Sequence, residues 1–119
     1  MRIRLTAGET LLNATLDDNA TARDFASLLP LTLQMNDLLE REKYGHLPRS
    51  LTAGGTPQSS YEIGNIVYWS PGPDIAIFYA HDGQSIPAPG IVILGDIDSG
   101  ADALKKYDGT VDVTIEAVD

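Results

Sequence analysis

Ile63-Gly64-Asn65-Ile66-Val67-Tyr68-Trp69, then Ser70-Pro71-Gly72-Pro73-Asp74, then Ile75-Ala76-Ile77-Phe78-Tyr79 read as strand, tight loop and strand. β-Branched and aromatic residues fill Ile66 to Trp69 and most of Ile75 to Tyr79. Such runs suit strands buried on both faces, or strands with core on one face and a binding pocket on the other. The loop has a usual hairpin length, and neither proline stands where a ladder needs an N–H. Four of the chain's eight aromatic residues lie in this stretch, so it is expected to hold both core and site.

Outward from it, the N-terminal side alternates. Ile3, Leu5 and Ala7 are interleaved with Arg2, Arg4 and Thr6, and Leu12, Ala14 and Leu16 follow after a turn at Gly8-Glu9. This period of two marks a half-buried hairpin. Thr21-Ala22-Arg23-Asp24 has the hydroxyl-x-x-acid form of a helix start. Phe25 and Leu29 share a face of that helix, suited to plug one end of a barrel, and Pro30 ends it. Leu31 to Met35 alternates again as a strand. Residues 36–45 are mixed in charge and fit either a short helix or an irregular excursion. His46-Leu47-Pro48-Arg49-Ser50-Leu51 reads as extended, because Pro48 biases its neighbour towards β. Thr52 to Ser60 reads as a surface loop.

On the C-terminal side, His81 to Gly90 is a second proline-containing loop and Ile91 to Leu94 a continuous apolar strand. A short helix is expected over Ala101 to Tyr107, capped by Asp98 or Ser99 and with Lys105 and Lys106 in its last turn. Val111, Val113, Ile115 and Ala117 alternate in a closing strand. Seven or eight strands with two short helices indicate a mainly β fold, and a closed barrel of about eight strands would leave no edge unpaired.

Composition bounds the function. At 119 residues the chain is expected to be one domain, residues 1–119, with a core that needs no staple. The absence of cysteine removes thiolate zinc sites, thiol catalysis and disulfides together. A net charge of −9 argues against nucleic acid and against anionic membranes. Its bland meaning is solubility, and its functional meaning is attraction of a cationic partner. Nothing approaches the ~18 apolar residues of a spanning helix, and the N-terminus lacks a signal-peptide pattern. A cytoplasmic protein is expected.

The order of elements resembles the cyclophilin-like β-barrel, and most of all small bacterial and archaeal cyclophilin-like proteins of unknown function. Ala22 to Leu29 resembles the first cyclophilin helix. Leu47-Pro48-Arg49-Ser50-Leu51 is similar to the Phe-His-Arg strand that carries the catalytic arginine. Gly64 to Trp69 with Ile75 to Tyr79 resembles the central strand pair. Leu94-Gly95-Asp96-Ile97-Asp98-Ser99-Gly100-Ala101 resembles the strand–glycine–turn–glycine segment before the last helix. The resemblance implies a cyclophilin-like barrel with a groove near Arg49. The departures are functional: Leu47-Pro48 replaces Phe-His, the Gln-Gly-Gly-Asp-Phe-Thr segment is missing, and the loop between the central strands is shorter. Fold therefore transfers without activity.

Two functions follow from that reading. The first is a binding module that holds a small ligand or an extended peptide against Arg49, Trp69, Phe78, Tyr79 and His81. The second is a weak or atypical peptidyl-prolyl cis-trans isomerase, with Arg49 as the hydrogen-bond donor to the twisted amide. The bland alternative makes Arg49 a rim ion pair with Glu40 or Glu42, and Phe78 plain core. No cofactor or metal is expected: His46 and His81 are the only histidines, and no zinc-type spacing exists. No phosphate loop or nucleophile elbow is present either. Oligomeric state is left open.

Overall fold

The computed structural model describes residues 1–118. Its eight strands are β1 (Arg2–Ala7), β2 (Thr10–Leu16), β3 (Leu31–Leu38), β4 (Glu42–His46), β5 (Asn65–Trp69), β6 (Asp74–Phe78), β7 (Val92–Ile97) and β8 (Thr110–Ala117). They close into a barrel in the order β1-β2-β7-β5-β6-β4-β3-β8. All neighbours are antiparallel, and the first and last strands pair from Ile3–Ala117 to Ala7–Val113. Closure uses every strand's N–H and C=O groups, so no edge remains.

Strand alternation sorts side chains into two apolar clusters. The larger fills the barrel, with Ile3 and Leu5 of β1, Met35 of β3, Ile75 and Ile77 of β6 and Ile115 of β8. The smaller lies outside it: Val67, Ala76 and Phe78 point outward beneath Tyr61, Ile86 and Ile91 of the covering segments. The central strand pair is apolar on both faces because it serves both clusters. Gly95 is the close approach that lets β7 meet β2; a Cβ there would lie 2.3 Å from the Thr15 carbonyl oxygen.

The helix α1 (Ala20–Ala26) plugs one end through the fully buried Phe25, with Leu29 packed at its side. Its cap differs from the expected one. Asn19 accepts the Ala22 N–H at 2.8 Å, while the Thr21 hydroxyl turns inward to the Thr52 carbonyl at 2.7 Å. A flush amide cap at Asn19 leaves Thr21 free to tie the helix to the following loop.

Three other expectations are corrected. Residues 36–45 form neither helix nor excursion: β3 runs to Leu38, turns through Leu39 and Glu40 at φ of 58° and 51°, and returns as β4. The strand that the cyclophilin resemblance implies over Leu47 to Leu51 does not form. Leu47 still donates to the Pro73 carbonyl at 2.9 Å, but Pro48 has no N–H to continue the ladder. The second helix, Ala101–Lys106, is a 3-10 helix that starts from Gly100 in the left-handed region, without a side-chain cap from Asp98 or Ser99.

Candidate functional site

Outward-facing side chains of β4, β6 and β5 pave a groove on the barrel wall. The registers set them in rows: Glu42 opposite Phe78; Tyr44, Ala76 and Val67; His46, Asp74 and Trp69. The segment 84–87 rises over this floor, held where the Ile86 N–H donates to the Ser59 carbonyl at 2.8 Å. Leu38 and Leu39 of the β3–β4 turn complete the lining, and the enclosed volume is about 500 Å³.

One end of the groove is charged and tightly paired. Arg41 and Glu42 are both buried. Arg41 donates from Nε to Glu42 Oε1 at 3.0 Å and from Nη1 to Asp82 Oδ2 at 3.3 Å. Its guanidinium also lies 5.3 Å from the Tyr61 ring centre and 5.5 Å from that of Phe78, in cation–π range. Burial pushes the Glu42 carboxyl above its ordinary range, and the Arg41 guanidinium offsets only part of that rise.

Behind this pair three rings stack. Tyr61 lies 3.9 Å from Phe78 and 4.1 Å from His81, centre to centre and nearly parallel. The Tyr61 hydroxyl donates to Asp82 at 3.0 Å. His81 Nδ1 accepts the Gly83 N–H at 2.9 Å, which assigns its ring proton to Nε2, 3.1 Å from the Tyr61 carbonyl. His81 therefore pins the loop instead of facing the groove.

The other end is acidic. Asp74 sits between Trp69 and His46 on the neighbouring strands. His46 Nδ1 is 2.6 Å from the buried Asp74 Oδ1, and no aligned donor reaches that oxygen from the groove. Burial raises the Asp74 carboxyl above its ordinary range, with His46 pulling the other way.

The expected site residues thus divide. Trp69 and Phe78 line the groove. Tyr79 points into the barrel, where its hydroxyl meets Asp37 beside the fully buried Lys43. Arg49 lies elsewhere: Asp24 of α1 accepts both its terminal nitrogens, at 3.0 and 2.7 Å, and Ser50 O and Ser27 Oγ complete its contacts. None of these partners lines the groove. The ion pair is made with Asp24 and not with Glu40 or Glu42. The guanidinium at the groove is Arg41, and Arg41, Glu42, Tyr44 and Asp74 were not among the expected site residues. Their only sequence signal was the alternation of Glu42, Tyr44 and His46, masked by the mixed charges around it. Among the described residues, no three metal-ligating side chains converge, and no helix is long and apolar enough to cross a membrane.

The family model described as the cyclophilin-like family matches residues 5–116. The chain belongs to the cyclophilin-like family. A solved structure similar to this cyclophilin-like chain is that of the hypothetical protein AF2241 from Archaeoglobus fulgidus, known in solution. It is 23% identical, with 99% of this chain and 95% of that one covered and a TM-score of 0.78. McbB, solved in complex with tryptophan, is 15% identical with a TM-score of 0.66. That match covers 98% of this chain but 46% of McbB, so this cyclophilin-like domain spans under half of McbB's length. At these identities both likenesses show the fold alone. No curated protein matches the chain.

Proposed function

We propose that this cyclophilin-like domain is a binding module whose outer groove takes a small flat apolar ligand or a short extended segment of chain. The observation that carries the reading is the groove itself. Its volume of about 500 Å³ falls within the roughly 300–1,000 Å³ of small-molecule sites. Its floor is apolar and aromatic, through Tyr44, Val67, Trp69 and Ala76, and its charged groups stand only at the two ends. An apolar body with a few placed polar groups is the usual design of such a site. McbB, part of which shares the fold, is solved in complex with tryptophan, which is compatible with an aromatic occupant here.

Trp69 is the chain's single tryptophan and lies in the groove, so its fluorescence reports occupancy. A screen of aromatic fragments is expected to give saturable changes in Trp69 emission. Ala76→Leu, which grows into the groove floor, is expected to remove them. Saturation that survives Ala76→Leu in a folded variant would place binding elsewhere. Acceleration of Xaa-Pro isomerisation by the wild type, lost in Arg49→Ala or Arg41→Ala, would replace the binding module with the isomerase alternative.

A further inference from the structure

We propose that the groove selects ligands that carry a positively charged amine, and that Asp74 receives it. The inference rests on the groove being a ligand site and names the class of ligand. Three charged side chains line the groove: Arg41, Glu42 and Asp74. Arg41 is already engaged by Glu42 on one side and Asp82 on the other. An incoming carboxylate would have to break one of those pairs, so the groove offers anions no free cation.

Asp74 is the opposite case. Its buried Oδ1 has only the exposed His46 imidazole beside it, with Nδ1 at 2.6 Å, and no aligned donor reaches it from the groove, which leaves a buried acceptor under-satisfied on that side. The His46 side chain is 73% exposed, so it contributes through a solvated contact. Burial keeps the Asp74 carboxyl raised, a displacement that a bound ammonium group would reverse.

The surroundings suit a cation. Trp69 stands directly across the strand pair from Asp74, so an ammonium bonded to the carboxylate would lie next to the indole, a ring that attracts positive charge. Tyr44 continues the aromatic lining. The net charge of −9 raises the local concentration of cations and lowers that of anions. An aromatic or apolar amine would place its ring over Ala76 and Val67 and its ammonium at Asp74.

The test titrates the full chain at pH 7 and constant ionic strength with three phenyl compounds of similar size: 2-phenylethylamine, 2-phenylethanol and phenylacetate. None emits where tryptophan does, so Trp69 fluorescence reads all three. The amine is expected to bind about tenfold or more tighter than the alcohol, the effect of one charge-assisted hydrogen bond, and the carboxylate most weakly. Asp74→Asn is expected to bring the amine down to the alcohol's affinity and leave the alcohol unchanged; Asp74→Ser repeats the test should the first variant be unstable. Equal amine and alcohol affinities, or a preference that survives both variants, would overturn the amine assignment and leave the groove a ligand site. The wild-type ranking decides this without any variant. Absence of saturable change with all three compounds would remove the groove reading and the amine inference together.

Discussion

Asp24 and Arg49 form a two-pronged ion pair that ties α1 to the segment after β4. The same carboxylate also accepts the Thr52 N–H at 2.6 Å and the Thr52 hydroxyl at 2.9 Å. The four donors that Arg49 and Thr52 direct at one carboxylate make Asp24 the anchor of residues 49–52, and they explain why an arginine in this position looks away from the groove.

That anchor has a pH signature. The Arg49 hydrogen bonds, with those of Thr52, hold the Asp24 carboxyl well below its ordinary range. A depressed folded-state value means stability that is complete above the unfolded value near ~3.9 and is lost as pH falls through the folded one. Wild type and Asp24→Asn are therefore expected to differ in Tm at pH 7 by a few degrees and to draw steadily closer as pH falls below 4. Parallel curves across that range would contradict the anchor role. Arg49→Ala is expected to lower Tm less, because Thr52 still satisfies the carboxylate.

Inside the barrel, Lys43 is fully buried with its Nζ 3.1 Å from Asp37 Oδ1. Burial alone would raise the Asp37 carboxyl, but the Tyr79 hydroxyl, Lys43 and the Glu40 N–H together hold it lowered. Asp37→Ala strands the ammonium in the core and is expected to cost about 3–5 kcal/mol, the usual penalty for an orphaned buried charge. Lys43→Met leaves Asp37 its other two donors and replaces the ammonium with an apolar group, so it is expected to cost clearly less. Urea denaturation of the two variants reads the order directly; the reverse order would mean that the ammonium is not the costly partner.

The barrel was legible where alternation ran unbroken. Ile3-Leu5-Ala7 and Val111-Val113-Ile115 announce one buried face each, and their pairing closes the fold. Legibility failed where polar residues face inward. Asp37 and Lys43 break the apolar period because they satisfy one another inside the barrel, and the turn between them uses Leu39 and Glu40 at positive φ, where glycine or asparagine would have marked it. The site was half legible for another reason. Trp69 and Phe78 declare themselves by composition, whereas the Arg41–Glu42 pair and Asp74 come to the two ends of one groove only through the β4–β6 register. The resemblance of Leu47–Leu51 to a cyclophilin strand drew attention to Arg49, but Pro48 ends the ladder before that residue.

Closure at β2–β7 depends on Gly95. A methyl group there would press on the Thr15 carbonyl and on the Leu16 backbone 2.9 Å away, neither of which can rotate aside. Gly95→Ala is expected to cost about 1–3 kcal/mol as overpacking. It should also speed hydrogen exchange at the Asp17 N–H, which bonds the Leu94 carbonyl next to the junction. Wild-type stability in the variant would show that the two strands can separate at no cost.

The Arg41–Glu42 pair yields the last prediction. Both side chains are only 9% exposed, so each offsets the other's loss of hydration. Glu42 has a raised carboxyl even with its partner present. A raised folded-state value works opposite to Asp24: the folded state holds its proton longer, so stability falls as pH rises from the unfolded value near ~4.3 through the folded one. Arg41→Met removes the offsetting charge and should widen that window, with a loss of about 3–5 kcal/mol at pH 7 that shrinks as pH is lowered towards 4. Adding Glu42→Gln removes the stranded charge, so the double variant is expected to be more stable at pH 7 than Arg41→Met alone and to lose the steep pH dependence. Denaturant midpoints of the four proteins between pH 4 and 8 form the cycle. Additive losses in that cycle would mean that Arg41 is held by Asp82 and the Tyr61 and Phe78 rings, and not by Glu42.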